Sequence, residues 1–188
     1  VARRAERSLH ECTHIPLELK KYMNRLSDDL YTVARMIEAT SDKGSKNMNN
    51  GISNIILLEE AKNIIHLVEQ YAVYQSCNVS IAVTNRDGNP ICVHSMDDSL
   101  VISFEVAIKK AYTAAALQMP THELAKLTQA GAPFFGLENM LEKQIITIGG
   151  GFPLRRNGKI VGAIGVSGGT ADEDIDLARY GQHVWEGE

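Results

Sequence analysis

The chain has 188 residues, 44% of them hydrophobic and 22% charged, with a formal net charge of −4. That is the composition of an ordinary globular protein, with no basic patch for nucleic acid and no apolar run long enough for a membrane helix. Three widely spaced cysteines, Cys12, Cys77 and Cys92, follow neither a disulfide nor a zinc pattern, which points to a reducing cytoplasm. The first residues are charged (Arg3, Arg4, Glu6, Arg7) and no apolar core follows at once, so no signal peptide is expected. A helical pattern is already under way at Val1, and the chain therefore reads as a fragment of a longer protein.

The first predicted helix runs to about Cys12 and is broken at His14-Ile15-Pro16. A second covers roughly 17–39, with Pro16 suited to its first turn. Its apolar residues Leu19, Met23, Leu26, Leu30, Val33 and Ile37 recur every three or four positions and form one stripe. Burying six such side chains stabilises by on the order of 10 kcal/mol, at about 1.5–3 each. Two helices cannot cover that stripe alone, so a helical bundle is the natural setting. Residues 41–50 hold a single apolar side chain and read as a linker.

Beyond the linker the pattern becomes mixed. A helix over 55–75 carries Leu58, Ala61, Ile64, Ile65, Val68 and Ala72 on one face. Val79–Thr84 and Ile91–Ser95 are strands joined by the turn Asn85-Arg86-Asp87-Gly88-Asn89. A helix over 100–118 is rich in alanine and ends at Pro120, and Thr121 is placed to cap a short helix over 122–129. Ile145–Ile148 reads as a strand. Pro153–Arg155 and Lys159–Val166 flank Asn157-Gly158, a strong hairpin signal. A last helix follows Gly168-Gly169, capped by Thr170 or Asp172. Hairpins with packed helices make the fold α+β, with an antiparallel sheet of about four to five strands. The domain boundaries are 1–40, a linker over 41–52, and 53–188.

Cys92 and His94 lie two apart on a strand and share one face, where either could ligate a metal or a haem iron. Set against this, the plainer reading takes Cys92 as a small buried hydrophobe and His94 as a surface histidine at a strand end. His66 sits with Lys62, Glu69 and Gln70 on the polar face of its helix, either simply solvated or a haem ligand at an interface between copies. His122 opens a helix and carries no role. The glycines at 149–151 and 168–169 could aim backbone N–H groups at an anion, but bends between elements explain them as well. No catalytic Ser/His/Asp or Cys/His set and no zinc spacing is present in this half.

The motifs Val1-Ala2-Arg3-Arg4-Ala5-Glu6-Arg7 and Tyr22-Met23-Asn24-Arg25-Leu26-Ser27-Asp28-Asp29-Leu30 resemble the C-terminal helices of PduO-type ATP:cob(I)alamin adenosyltransferases. The resemblance covers about 40 residues and implies an ATP site at a subunit interface. Arg3 and Arg7, four apart on one helix face, would then hold a triphosphate, with Glu6 orienting an arginine and Asn24 hydrogen-bonding the nucleotide. In the family's reaction the triphosphate leaves, so charge stabilisation is the catalytic need. Lacking the family's glycine-rich phosphate-binding segment, the chain alone is expected to be inactive. ATP and cobalamin are cofactors of the parent protein only.

From about 53 to 186 the chain is similar to the GlcG/HbpS family, which also supplies the second domain of some PduO proteins. The resemblance rests on Val79–Val83 with Arg86-Asp87-Gly88, on Met96-Asp97, on Lys109–Ala114, on Gly149–Leu154 and on Gly158–Gly169. It implies a homo-oligomer and a haem or related tetrapyrrole ligand, with His66, His94 or Cys92 as the iron-ligand candidates. An arginine commonly precedes Met96 in that family; here Ser95 stands there, and any ligand contact from that arginine is missing. The expected function is that of the C-terminal part of a two-domain corrinoid adenosyltransferase whose second domain binds a tetrapyrrole or drives assembly. The alternative is a stand-alone haem-binding or structural module without catalysis. The family setting adds a bacterial microcompartment to the cytoplasmic expectation.

Overall fold

The computed structural model describes residues 55–139 and 144–187. The chain divides into two units, Val1–Asn49 and Asn50–Glu188, and every described residue belongs to the second. The helices expected over residues 1–39 lie outside the described residues.

Helix α1 spans Leu58–Tyr74 and buries Ala61, Ile64, Ile65, Val68 and Ala72 of the expected stripe, while Leu58, at the first helical position, is exposed. Its first turn is closed by Glu60, whose carboxylate accepts the Leu57 N–H at 2.8 Å. Strand β1, Ser80–Asn85, is buried along almost its whole length, and β2, Pro90–Ser95, is half-buried. Between them the Asn85 side chain accepts the N–H groups of Asp87 and Asn89 at 3.0 and 2.9 Å, which holds the turn. Gly88 has φ +83°, and a Cβ there would strike the Tyr112 ring.

Helix α2, Val101–Leu117, buries Ser103, Ala107, Lys110, Ala111, Thr113, Ala114 and Ala115. Its alanines let the helix backbone lie directly on the sheet: a Cβ on Gly165 would run into the Ala107 carbonyl and the Ala111 nitrogen. Helix α3 is shorter than expected, Thr121–Leu127, and Pro120 takes the cap position. Thr121 does not cap it; its hydroxyl accepts the N–H of Gly151 at 2.9 Å instead. A 3₁₀ turn follows at Leu137–Asn139.

Residues 145–148 form no strand. Ile145 is buried, but the N–H of Ile146 goes to the Thr113 hydroxyl at 3.0 Å rather than to a neighbouring strand. Strands β3, Gly151–Arg156, and β4, Lys159–Ser167, meet at Asn157-Gly158, both with positive φ (+52° and +75°), as a tight hairpin turn requires. Helix α4, Ala171–Glu186, starts in a capping box of Thr170 with Glu173 and ends at Gly187 in the left-handed region.

The four strands form one antiparallel sheet in the order β2-β1-β4-β3. One face presents Ile81, Val83, Phe152, Leu154, Ile164 and Val166 to α1 and α4, forming the main core. The opposite face presents Ala82 and Ala163 to α2. This is the expected α+β architecture, at four strands. Arg156 ties β3 to both helices of the main core, pairing with Glu60 of α1 at 2.6 Å and lying 4.5 Å above the Trp185 ring of α4.

Candidate functional site

Antiparallel pairing places Cys92 opposite Val83 and His94 opposite Ile81, so both point to the face covered by α1. The shared face expected from their spacing is therefore present, but the two side chains behave differently. Cys92 leans into the main core beside buried hydrophobes. His94 reaches α1, where its Nδ1 lies 2.8 Å from a Glu69 carboxylate oxygen. The other oxygen of Glu69 is 3.9 Å from Nδ1 of His66, one turn earlier on α1. One carboxylate thus stands between two imidazoles that are 28 residues apart in the chain, as their numbers show.

The contact with Glu69 occupies Nδ1 of His94, and no described residue bonds its Nε2. His66 is less free: its Nε2 lies 3.1 Å from the Gln70 side-chain nitrogen. His94 is 43% exposed and His66 66%, against 25% for Glu69. A carboxylate that fixes one ring nitrogen and leaves the other outward is the usual support of a ligating histidine. A single unengaged imidazole nitrogen suits a haem iron, which needs one protein ligand, and not a metal ion held by several protein side chains. No group of three or more His, Cys, Asp or Glu suited to a metal occurs among the described residues.

The glycine runs are built into a second constellation. Lys110 of α2 and Asp174 of α4 form an ion pair at 2.5 Å, with side chains only 1% and 4% exposed. The Lys110 ammonium also donates to the Val166 carbonyl at 2.9 Å, and the second Asp174 oxygen accepts the Gly169 N–H at 3.0 Å. Burial pulls the Lys110 pKa down and pushes that of Asp174 up, while the attraction between them opposes both. Gly150, at φ +113°, has space only for hydrogen where Lys110, Asp174 and the Val166 carbonyl converge. With the N–H groups of Gly151 and Gly169 taken by Thr121 and Asp174, these glycines pack the structure rather than offer an anion site.

His122 lies against Phe152 with ring centroids 5.3 Å apart, and its Nδ1 is buried without a partner. Burial lowers its pKa. Cys77 is buried, and its thiol pKa is raised, chiefly by desolvation. Sequence reasoning named Glu69 only as a neighbour of His66, and the partner of Lys110 was not visible at all. Arg3, Glu6, Arg7 and Asn24 lie outside the described residues.

A four-stranded antiparallel sheet with two helices on one face and a third on the other, and a histidine on its edge strand, defines a small α+β domain. The family model described as "Haem degrading protein HbpS-like" matches residues 56–183, and the chain belongs to that family. A second model, for cobalamin adenosyltransferase, matches residues 1–37. The corrinoid adenosyltransferase PduO of Salmonella typhimurium is 34% identical over 199 residues, covering 95% of this chain and 59% of that protein. The chain thus spans about three-fifths of the length of this relative. Among solved structures, the Klebsiella pneumoniae protein ORFY is similar with a TM-score of 0.70 and 32% identity, covering 76% of this chain and 99% of its own. A structure of a PduOC:heme complex is similar with a TM-score of 0.66 and 32% identity, covering 68% of this chain and 93% of that one. No helix among the described residues is long and apolar enough to cross a membrane.

Proposed function

We propose that the described domain binds haem or a related tetrapyrrole, with Nε2 of His94 as the iron ligand and Glu69 as the group that orients it. The observation that carries this reading is the 2.8 Å contact between Glu69 and Nδ1 of His94, which leaves the second nitrogen free and outward. The haem complex of a 32% identical relative supports it. A bound haem would supply ligand-sensing, redox or degradative chemistry at its iron. His66 is the alternative ligand, in an assembly where a second copy draws it away from Gln70. Cys92, turned to the core, is the weakest of the three candidates.

In the same reading, residues 1–40 are the last helices of a corrinoid adenosyltransferase domain and residues 41–52 link them to a second domain over 53–188. Arg3, Glu6, Arg7 and Asn24 contribute to an ATP site that is incomplete without the rest of that domain. ATP and cobalamin belong to the parent activity, in the cytoplasm or a microcompartment. The resemblance of both segments to PduO, in the same order, supports this. The domain also self-associates, a reading favoured by the exposed run Leu100, Val101, Ile102 and Phe104 at the start of α2.

The test is a hemin titration followed at the Soret band. The parent protein gives a saturable, shifted Soret band. His94→Ala abolishes the shift, Cys92→Ala leaves it, and Glu69→Gln keeps binding but changes the spectrum and potential of the bound iron. An unchanged band in both His94→Ala and His66→Ala removes the ligand assignment, and no saturable band in the parent removes the function.

A further inference from the structure

At the end of the sheet where both hairpins turn, a cleft of about 540 Å³ opens between the two turns and the last turns of α2. It lies on the α2 side, opposite the face that carries His66, Glu69 and His94. Its rim carries Arg86, Arg155 and Lys159, with Asp87 as the one acid. Asp87 is already engaged with Arg86 at 3.5 Å, whereas Arg155 and Lys159 have no acidic partner among the described residues. In a chain of net charge −4 this is a local excess of positive charge.

Arg155 is also held in place. Its two terminal nitrogens donate to the carbonyls of Gly158, in the β3–β4 turn, and Gln118, at the end of α2, both at 3.4 Å. Those contacts offset the negative end of the helix dipole and steady the guanidinium fork without neutralising it. The cleft is roomy because Ala115 and Ala116 stand where larger side chains would fill it, and the rest of its lining is mostly polar. The Tyr112 ring, pinned beneath Gly88, lines the same space, and its hydroxyl bonds no described residue. Two cations without an acidic partner, a phenol and the space left by two alanines suit a compact, polar molecule with two acidic groups.

We infer that this cleft binds a small organic dianion through Arg155, Lys159 and Tyr112, independently of the histidine site. The shared chemistry is a pair of oxyanion groups, carboxylate or phosphate. Isothermal titration of the whole chain with succinate and with glycerol phosphate separates the two, and glycerol serves as the neutral control. At least one dianion binds one-to-one while glycerol does not. Arg155→Gln and Lys159→Gln each weaken that binding about tenfold or more, the loss expected for one charge-assisted contact. Lys62→Gln removes the same charge from the exposed face of α1 and leaves the affinity unchanged. The three cations are exposed, so all variants keep the parent's melting behaviour. Silence with both dianions at millimolar concentration overturns the inference. So does equal weakening in Lys62→Gln, which would mean diffuse attraction rather than a site, or full affinity in the Arg155→Gln, Lys159→Gln double variant.

Discussion

A lysine that is 1% exposed beside a carboxylate that is 4% exposed is costly unless both are fully bonded. Lys110 and Asp174 meet that condition, with Val166 and Gly169 taking the remaining contacts. Truncating one partner leaves the other charge buried and alone, so Asp174→Ala is expected to lower stability by about 3–5 kcal/mol in urea unfolding. Replacing both by apolar residues of similar volume, Lys110→Met with Asp174→Leu, recovers most of that loss. If the single and double variants lose equally, the pair is not the origin of the cost. The neighbouring Glu173 gives a pH dependence of known sign. Its carboxylate accepts the Thr170 N–H at 2.7 Å and the Thr170 hydroxyl at 2.9 Å, and its pKa is held below the ordinary 4.5, first by the backbone bond. The folded value is therefore the lower one, and the stabilisation is present above about pH 4.5 and fades as the pH falls through the folded value. Glu173→Gln flattens that part of the acid-unfolding curve, whereas an unaltered acid limb would remove Glu173 from the account. The two interactions were not equally legible in the sequence. The Thr170–Glu173 box is a local pattern between residues three positions apart, while Asp174 lies 64 residues from Lys110 and no periodicity connects them.

At the level of elements, the approach of α2 to the sheet depends on residues without bulk. Ala107 and Ala111 on the helix meet Gly165 on β4. The backbone of Gly165 is not in the left-handed region, so the demand there is for space alone. Gly165→Ala drives a methyl into the helix backbone, which cannot rotate away as a side chain does. The expected cost is at or above the top of the usual 1–3 kcal/mol or so for overpacking, read as a lowered denaturation midpoint. A midpoint within error of the parent would mean that α2 slides freely on the sheet. The alanine-rich face of this helix and both hairpin turns were legible, because Asn85–Asn89 and Asn157-Gly158 impose their geometry locally. The strand expected over 145–148 was not found, because an apolar run states only that it is buried. Whether its N–H groups meet a strand or a helix hydroxyl such as that of Thr113 depends on what lies across from it. The same limit applied to His94: alternation assigned its face, but only the fold brought Glu69 to its Nδ1.

For the molecule as a whole, the proposed assembly has a measurable signature. Leu100, Val101 and Ile102 are 63%, 96% and 66% exposed and adjoin Phe104 at 45%. A contiguous apolar group of this kind on an acidic chain favours contact with a second copy. Light scattering of the parent is expected to give a mass above that of a single chain. Val101→Glu with Ile102→Glu should lower it without altering the melting temperature, since neither side chain contributes to the core. A parent of monomer mass at micromolar concentration would contradict the assembly.

The strand order β2-β1-β4-β3 has a consequence for how the chain reaches this state. Each hairpin is an outer strand paired with an inner one, and both can form within microseconds from neighbouring residues. The seam between the inner strands is another matter. Thr84 and Ala163, which face each other across it, are 79 residues apart, and α2 and α3 lie between them in the sequence. Closing that loop comes before most of the main core exists to reward it. The barrier to folding should therefore sit at the β1–β4 seam, and substitutions along it should slow refolding more than equally destabilising ones in either turn.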